Sequence, residues 1–175
     1  MHAVIVYESM FGNTRSIAEA IAEGLGPSVD VRVVRVADAD ATILEGADLL
    51  VVGGPTHAWG MSKPNTRKGA PDYVRRPGSD LVLEPGANSG PGLGEWLDAL
   101  DQPSVKAAVF DTRFKAPALL TGRASKGIEK KLSSHGLTMV VAPESFLVNK
   151  KNHLLPGEVD RARAWGARLT TLGTP

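Results

Sequence analysis

The chain predicts an α/β fold, a doubly wound parallel sheet of five strands with helices on both faces. Three observations carry this. Short apolar runs at Val4–Val6 and Leu49–Val52 have the continuous hydrophobicity of strands buried on both faces. Segments with a helical period alternate with such runs along the chain, which implies right-handed crossovers in one sheet. Three loops that leave strand ends carry unusual chemistry: Ser9–Thr14, Pro55–Gly60 and Asp111–Phe114. In a doubly wound sheet, ligands bind beyond the carboxyl ends of the strands at the switch point, so these loops are expected to converge.

The first strand is the run Ala3–Tyr7. From Thr14 the period changes: Ile17, Ile21 and Leu25 recur at four-residue spacing with Ala18 and Ala22 beside them, and Arg15, Ser16, Glu19 and Glu23 on other faces. The junction between them, Ser9-Met10-Phe11-Gly12-Asn13-Thr14, is rich in donors. Its backbone N–H groups and the positive end of the following helix can hold an anion without a lysine. Ser9, Asn13 and Thr14 add side-chain donors, and Gly12 permits a left-handed conformation or a close backbone approach.

A second strand fits Val29–Val36, where valines alternate with Asp30, Arg32 and Arg35 as at a sheet edge. A short helical segment is expected around Thr42–Ala47. Leu49–Val52 is the third strand, ended by Gly53-Gly54-Pro55. Residues 61–92 are rich in Pro, Gly, Asn and Ser and read as a long surface insertion, with an extended piece at Asp80–Leu83. Leu93, Trp96, Leu97 and Leu100 mark a short amphipathic helix, and Val105–Phe110 a fourth strand closed by Asp111-Thr112-Arg113-Phe114. A helix around Ile128 and Leu132 exposes Lys126, Lys130 and Lys131 and ends near Gly136. Leu137–Val141 is the fifth strand, with Phe146–Val148 extending it past Pro143. The last helix starts at Pro156 and buries Val159, Ala162, Trp165, Leu169 and Leu172. No repeat or linker interrupts the 175 residues, which suit one domain.

Composition narrows the function. Without cysteine there is no disulfide framework, thiolate metal site, iron–sulfur cluster or thiol nucleophile, so redox chemistry requires a cofactor. His2, His57, His135 and His153 lack ligand spacing, and no metal role is assigned. With 20 basic and 19 acidic residues, the net charge of +1 indicates no nucleic-acid binder. Met1-His2-Ala3 leads straight into a strand and no run approaches membrane-spanning length, from which a cytoplasmic protein is expected. Phosphate-binding and serine-hydrolase motifs of the G-x-x-x-x-G-K-[ST] and G-x-S-x-G types are absent. An aspartyl phosphoacceptor at the end of the third strand is excluded by Gly53-Gly54-Pro55.

Tyr7-Glu8-Ser9-Met10-Phe11-Gly12-Asn13-Thr14 and Gly53-Gly54-Pro55-Thr56-His57-Ala58-Trp59-Gly60 resemble the phosphate loop and the first flavin-flanking loop of the flavodoxin family. The resemblance extends in strand order and spacing over nearly the whole chain, with a longer insertion, and implies a flavodoxin-like three-layer sandwich. It implies FMN as cofactor. The phosphate would lie on Ser9, Met10, the Phe11 backbone, Gly12, Asn13 and Thr14, and the isoalloxazine between Pro55, Thr56, His57, Ala58, Trp59 and Gly60 and Asp111, Thr112, Arg113 and Phe114. Phe11 stands where many relatives carry a hydroxyl residue. Trp59 is the candidate for ring stacking, against an alternative role in packing; Phe114 covers the ring or anchors its loop. His57 is a candidate hydrogen-bond partner or proton donor.

The function implied is an FMN-dependent carrier of electrons between a reductase and an acceptor. A nicotinamide-dependent quinone or small-acceptor reductase of the same fold is the alternative, and a cofactor-free partner-binding domain the second. Lys63, Arg67, Lys68, Arg75 and Arg76 make the insertion basic. Basic neighbours favour the anionic reduced flavin, which implies a less strongly reducing couple and anionic partners.

Overall fold

The computed structural model describes residues 1–40, 42–57, 60–101 and 104–173. Its strands are β1 (His2–Tyr7), β2 (Asp30–Arg35), β3 (Leu49–Pro55), β4 (Lys106–Phe114), β5 (Thr138–Met139) and β6 (Glu144–Val148). All pair in parallel, in the order β2-β1-β3-β4-β5, with β6 also on β4. Its helices are α1 (Asn13–Leu25), α2 (Pro64–Lys68), α3 (Ala70–Val74), α4 (Leu93–Asp98), α5 (Ala118–Thr121), α6 (Ala124–Ser134) and α7 (Glu158–Gly173).

Strand pleating sorts the core into two layers. Ala3, Ile5, Leu49, Val51, Ala108 and Phe110 face Ile17, Ile21 and Leu25 of α1 and Trp165 and Leu169 of α7. Val4, Val6, Leu50, Val52, Ala107 and Val109 face Leu93, Trp96 and Leu97 of α4 and Ile128 and Leu132 of α6. Phe110, Phe146 and Trp165 meet edge to face, with centroids 6.1–6.4 Å apart. The first strand, its helix, the edge strand and the central strands thus follow the hydrophobic periods.

Several elements differ from expectation. Residues 42–46 form turns instead of a helix, because Asp40 Oδ1 accepts the Thr42 N–H at 3.0 Å and its hydroxyl at 2.9 Å, and Gly46 takes a φ of 72°. β3 continues through Gly53-Gly54-Pro55, where the missing side chain of Gly53 makes room for Phe110; a Cβ there would sit 2.0 Å from its ring. β4 likewise runs on through Asp111–Phe114. The insertion holds α2 and α3, too short to declare a period, and no strand at 80–83.

The fifth sheet position is split. β5 pairs with Lys106 and Ala107, the chain steps away around Pro143, which has no N–H to donate, and β6 rejoins β4 from Phe110 to Phe114. α7 begins at Glu158, since Gly157 stands at φ 84°, and Leu172 is 43% exposed. Lys131 reaches back to Asp98 and the Gly94 carbonyl of α4.

Candidate functional site

The carboxyl ends of β1, β3 and β4 open into a cleft of about 290 Å³. The first loop supplies Ser9, Met10, Phe11, Asn13 and Thr14, the second Pro55, Thr56 and His57, and the third Thr112, Arg113 and Phe114. Three further segments contribute to it: Thr66, Ala70 and Tyr73, then Arg76–Leu81, both of the insertion, and Lys150–Asn152 after β6.

One end of the cleft is rich in unused donors. Gly12 takes the N-cap of α1 in the left-handed region (φ 88°), with no side chain capping the helix and no acid in its first turn. The first intrahelical bond is Ser16 N–H to the Gly12 carbonyl, which leaves the N–H groups of Asn13, Thr14 and Arg15 without a helical acceptor. Ser9 is 6% exposed, and its oxygen accepts the Gly12 N–H at 3.1 Å, while its own hydrogen has no acceptor among the described residues. Thr14 and Thr112, both buried, share one hydroxyl bond of 2.8 Å between them, so one hydroxyl hydrogen is left over. A surplus of donors at the uncapped positive end of a helix fits an anion such as a phosphate.

The loop is braced by the segment that follows β6. Asn13 Nδ2 donates to the Asn152 carbonyl at 2.6 Å. Asn152 is the single non-glycine with positive φ (63°) among the described residues, a conformation that asparagine tolerates better than most side chains.

His57 is held by a two-way backbone bridge with Gly60, 2.8 and 2.9 Å long. Its Nε2 has neither solvent nor a partner among the described residues. Burial pushes the imidazole below its ordinary pKa, with the Glu8 carboxylate opposing more weakly. The ring is therefore neutral near pH 7, with one nitrogen free for a hydrogen bond. Thr56 is partly used elsewhere, since its hydroxyl accepts the Ala124 N–H of α6 at 2.9 Å.

Other candidates stand apart from the cleft. Asp111 is fully buried, and its Oδ2 accepts the Ser125 N–H at 2.9 Å, because β4 turns that side chain toward α6. Gly12 and Gly60 shape their loops without lining the cleft. Ala58 and Trp59 lie outside the described residues. Arg113 supports the loop it starts, donating to the Ala116 carbonyl at 2.8 Å, and Phe114 is 45% exposed at the mouth.

The cationic character has a different origin from the one expected. Arg67 is buried and paired with Glu95 at 2.8 Å, Arg75 is paired with Asp72 at 3.1 Å, and Lys63 and Lys68 do not line the cleft. Of the five basic insertion residues Arg76 alone does so, joined by Arg113, Lys150 and Lys151 from other segments. Lys150 and Lys151 were legible as a basic pair, but only the pairing of β6 with β4 brings them here.

These features define a doubly wound α/β protein with a cleft at its switch point, one end of which is rich in unpaired donors. The sequence matches the family model described as flavodoxin over residues 5–110. The chain belongs to the flavodoxin family. Among solved structures it is similar to a flavodoxin from the domain Archaea, at 22% identity and a TM-score of 0.68, covering 99% of each chain. It is similar also to oxidised flavodoxin 1 from Bacillus cereus, at 21% identity and a TM-score of 0.66 over 98% of each chain. A WrbA-like flavodoxin from Agrobacterium tumefaciens shares 18% identity and a TM-score of 0.60, over 98% of this chain and 96% of that one. No curated protein matches the sequence. No helix among the described residues is long and apolar enough to cross a membrane.

Proposed function

We propose that the chain binds FMN in this cleft and carries electrons between a reductase and an acceptor. The observation that supports it best is the donor surplus at the start of α1, in a cleft that the second and third loops also line. Ser9, Asn13, Thr14 and the first-turn N–H groups would hold the phosphate; His57, Trp59 and Phe114 would border the isoalloxazine. Bound flavin supplies the electron chemistry, and the protein supplies orientation and electrostatics. His57, kept neutral, serves as a hydrogen-bond partner in preference to a proton store. The cleft's volume lies at the low end for small-ligand sites, which favours one cofactor over a cofactor with a nicotinamide donor beside it. Partners that reach the rim at Lys150 and Lys151 are expected to be anionic.

Titration of the purified protein with FMN, followed by flavin fluorescence and calorimetry, tests this. Quenching with a saturable heat, weakened by Trp59→Ala, supports it; an unchanged fluorescence and baseline overturn it. Steady-state oxidation of a nicotinamide with a quinone would move the assignment from carrier to reductase.

A further inference from the structure

The insertion is strapped across the phosphate end of the cleft. At one point Glu84 fastens it, donating its N–H to the Met10 carbonyl at 2.8 Å and taking Arg15 on its carboxylate at 3.0 Å. At another, Asp80 meets His153 Nε2 at 3.0 Å, beyond Asn152. A small core of Met10, Ala70 and Ala87, with Phe11 and Leu83 against it, lies between strap and loop. The strap delivers one cation into the cleft, Arg76. Its guanidinium lies over the Tyr73 ring, 3.9 Å from the centroid. The Tyr73 ring in turn packs on Phe11 of the first loop, with centroids 6.2 Å apart and planes tilted by 58°.

Arg76 has no carboxylate partner among the described residues, whereas Arg15, in the first turn of α1, is engaged with Glu84 and Glu19. The donors of the first loop are all neutral, and a helix terminus contributes roughly half an elementary charge against a phosphate of nearly two. A stacked guanidinium is restricted in orientation and presents a fork suited to phosphate oxygens, unlike the flexible ammonium stems of the rim lysines. We propose that Arg76 binds the phosphate of the flavin nucleotide, with Tyr73 as its positioning residue. This rests on the FMN reading above and assigns the insertion a purpose in it: a cationic clamp that selects phosphorylated flavin.

The test compares FMN with riboflavin, by fluorescence titration at low and high salt, for wild type, Arg76→Gln, Tyr73→Leu and Arg75→Gln. Arg76→Gln is expected to weaken FMN about tenfold or more and leave riboflavin unchanged, as suits the loss of a charge-assisted bond. Tyr73→Leu should show a smaller loss of the same selectivity, and the salt dependence of FMN binding should flatten in Arg76→Gln. Arg75→Gln, the same charge change one residue away, should match wild type. An equal loss for both flavins, no loss in Arg76→Gln, or an equal loss in Arg75→Gln overturns the inference.

Wild type that binds no FMN overturns the flavin reading instead. The clamp is then judged with inorganic phosphate and thermal melting. Protection of wild type but not of Arg76→Gln sustains it as an anion site, and protection of both or neither overturns it.

Discussion

Two sites in the cleft show how burial sets chemistry at the scale of a residue. Thr14 and Thr112 come from the first and third segments, 98 positions apart, and their shared hydroxyl bond ties the helix start to the end of β4. Thr14→Val keeps the shape but strands the Thr112 hydroxyl. The expected outcome is a loss of about 1–2 kcal/mol in urea unfolding together with weaker FMN binding. His57 is the second. Its unfolded form protonates near the ordinary value of 6.5, while burial delays protonation of the folded form to lower pH. The unfolded state thus binds more protons in that interval, and stability declines as pH falls from 6.5 toward the depressed folded value. Proton NMR should place the His57 titration below 6.5, and His57→Gln should remove that part of the pH dependence of unfolding. A titration at or above 6.5 would contradict the burial of its Nε2.

At the scale of elements, close contacts and ion pairs decide what the hydrophobic periods leave open. α1 and α7 approach through Gly24 and Gly166: a Cβ at Gly24 would lie 2.1 Å from the Arg163 carbonyl oxygen, and one at Gly166 2.3 Å from that of Ile21. Backbone cannot yield as a flexible side chain can, so Gly166→Ala is expected to cost about 1–3 kcal/mol in chemical unfolding. The insertion is fastened differently, through the buried Arg67 and its Glu95 partner on α4. Hydrogen bonds from Arg67 hold the Glu95 carboxyl below its ordinary 4.5, so the contribution of the pair is present above that pH and lost as pH falls below it. Glu95→Ala should expose residues 61–92 to limited proteolysis at neutral pH, and wild type should become similarly sensitive only under acid conditions. The sequence made the sheet, α1, α4, α6 and α7 legible because their apolar residues repeat at the strand or helix period. It concealed what depends on partners distant in the chain. Gly53 reads as a strand end until Phe110 is seen filling its missing side chain, Asp111 reads as a loop acid until α6 arrives above it, and Arg76 reads as one insertion cation among five until the strap sets it over Tyr73 at the cleft.

Across the whole molecule, charge is nearly balanced, at +1, yet its distribution around the cleft is not. Arg76, Arg113, Lys150 and Lys151 line it against one carboxylate, Asp80, which is itself bonded to His153. Net charge therefore says little about this site, and on the FMN reading proposed above the local field would act on a flavin that gains negative charge on reduction. Cations near the flavin stabilise the reduced form, which raises its potential and makes it a weaker reductant. The field can be altered without touching the phosphate donors, because Lys150 and Lys151 lie on the rim and are exposed. Replacing both with glutamate reverses the local sign and should shift the couple to more negative values by an amount on the order of tens of millivolts. The same double replacement should slow exchange with acidic redox proteins and speed it with basic ones, each trend fading as added salt screens the rim. Spectroelectrochemical titration of wild type and the double variant at low ionic strength measures the first effect directly. A wild-type couple as strongly reducing as that of a flavin ringed by acids, or one unmoved by the charge reversal, would show that the rim does not control the flavin's potential.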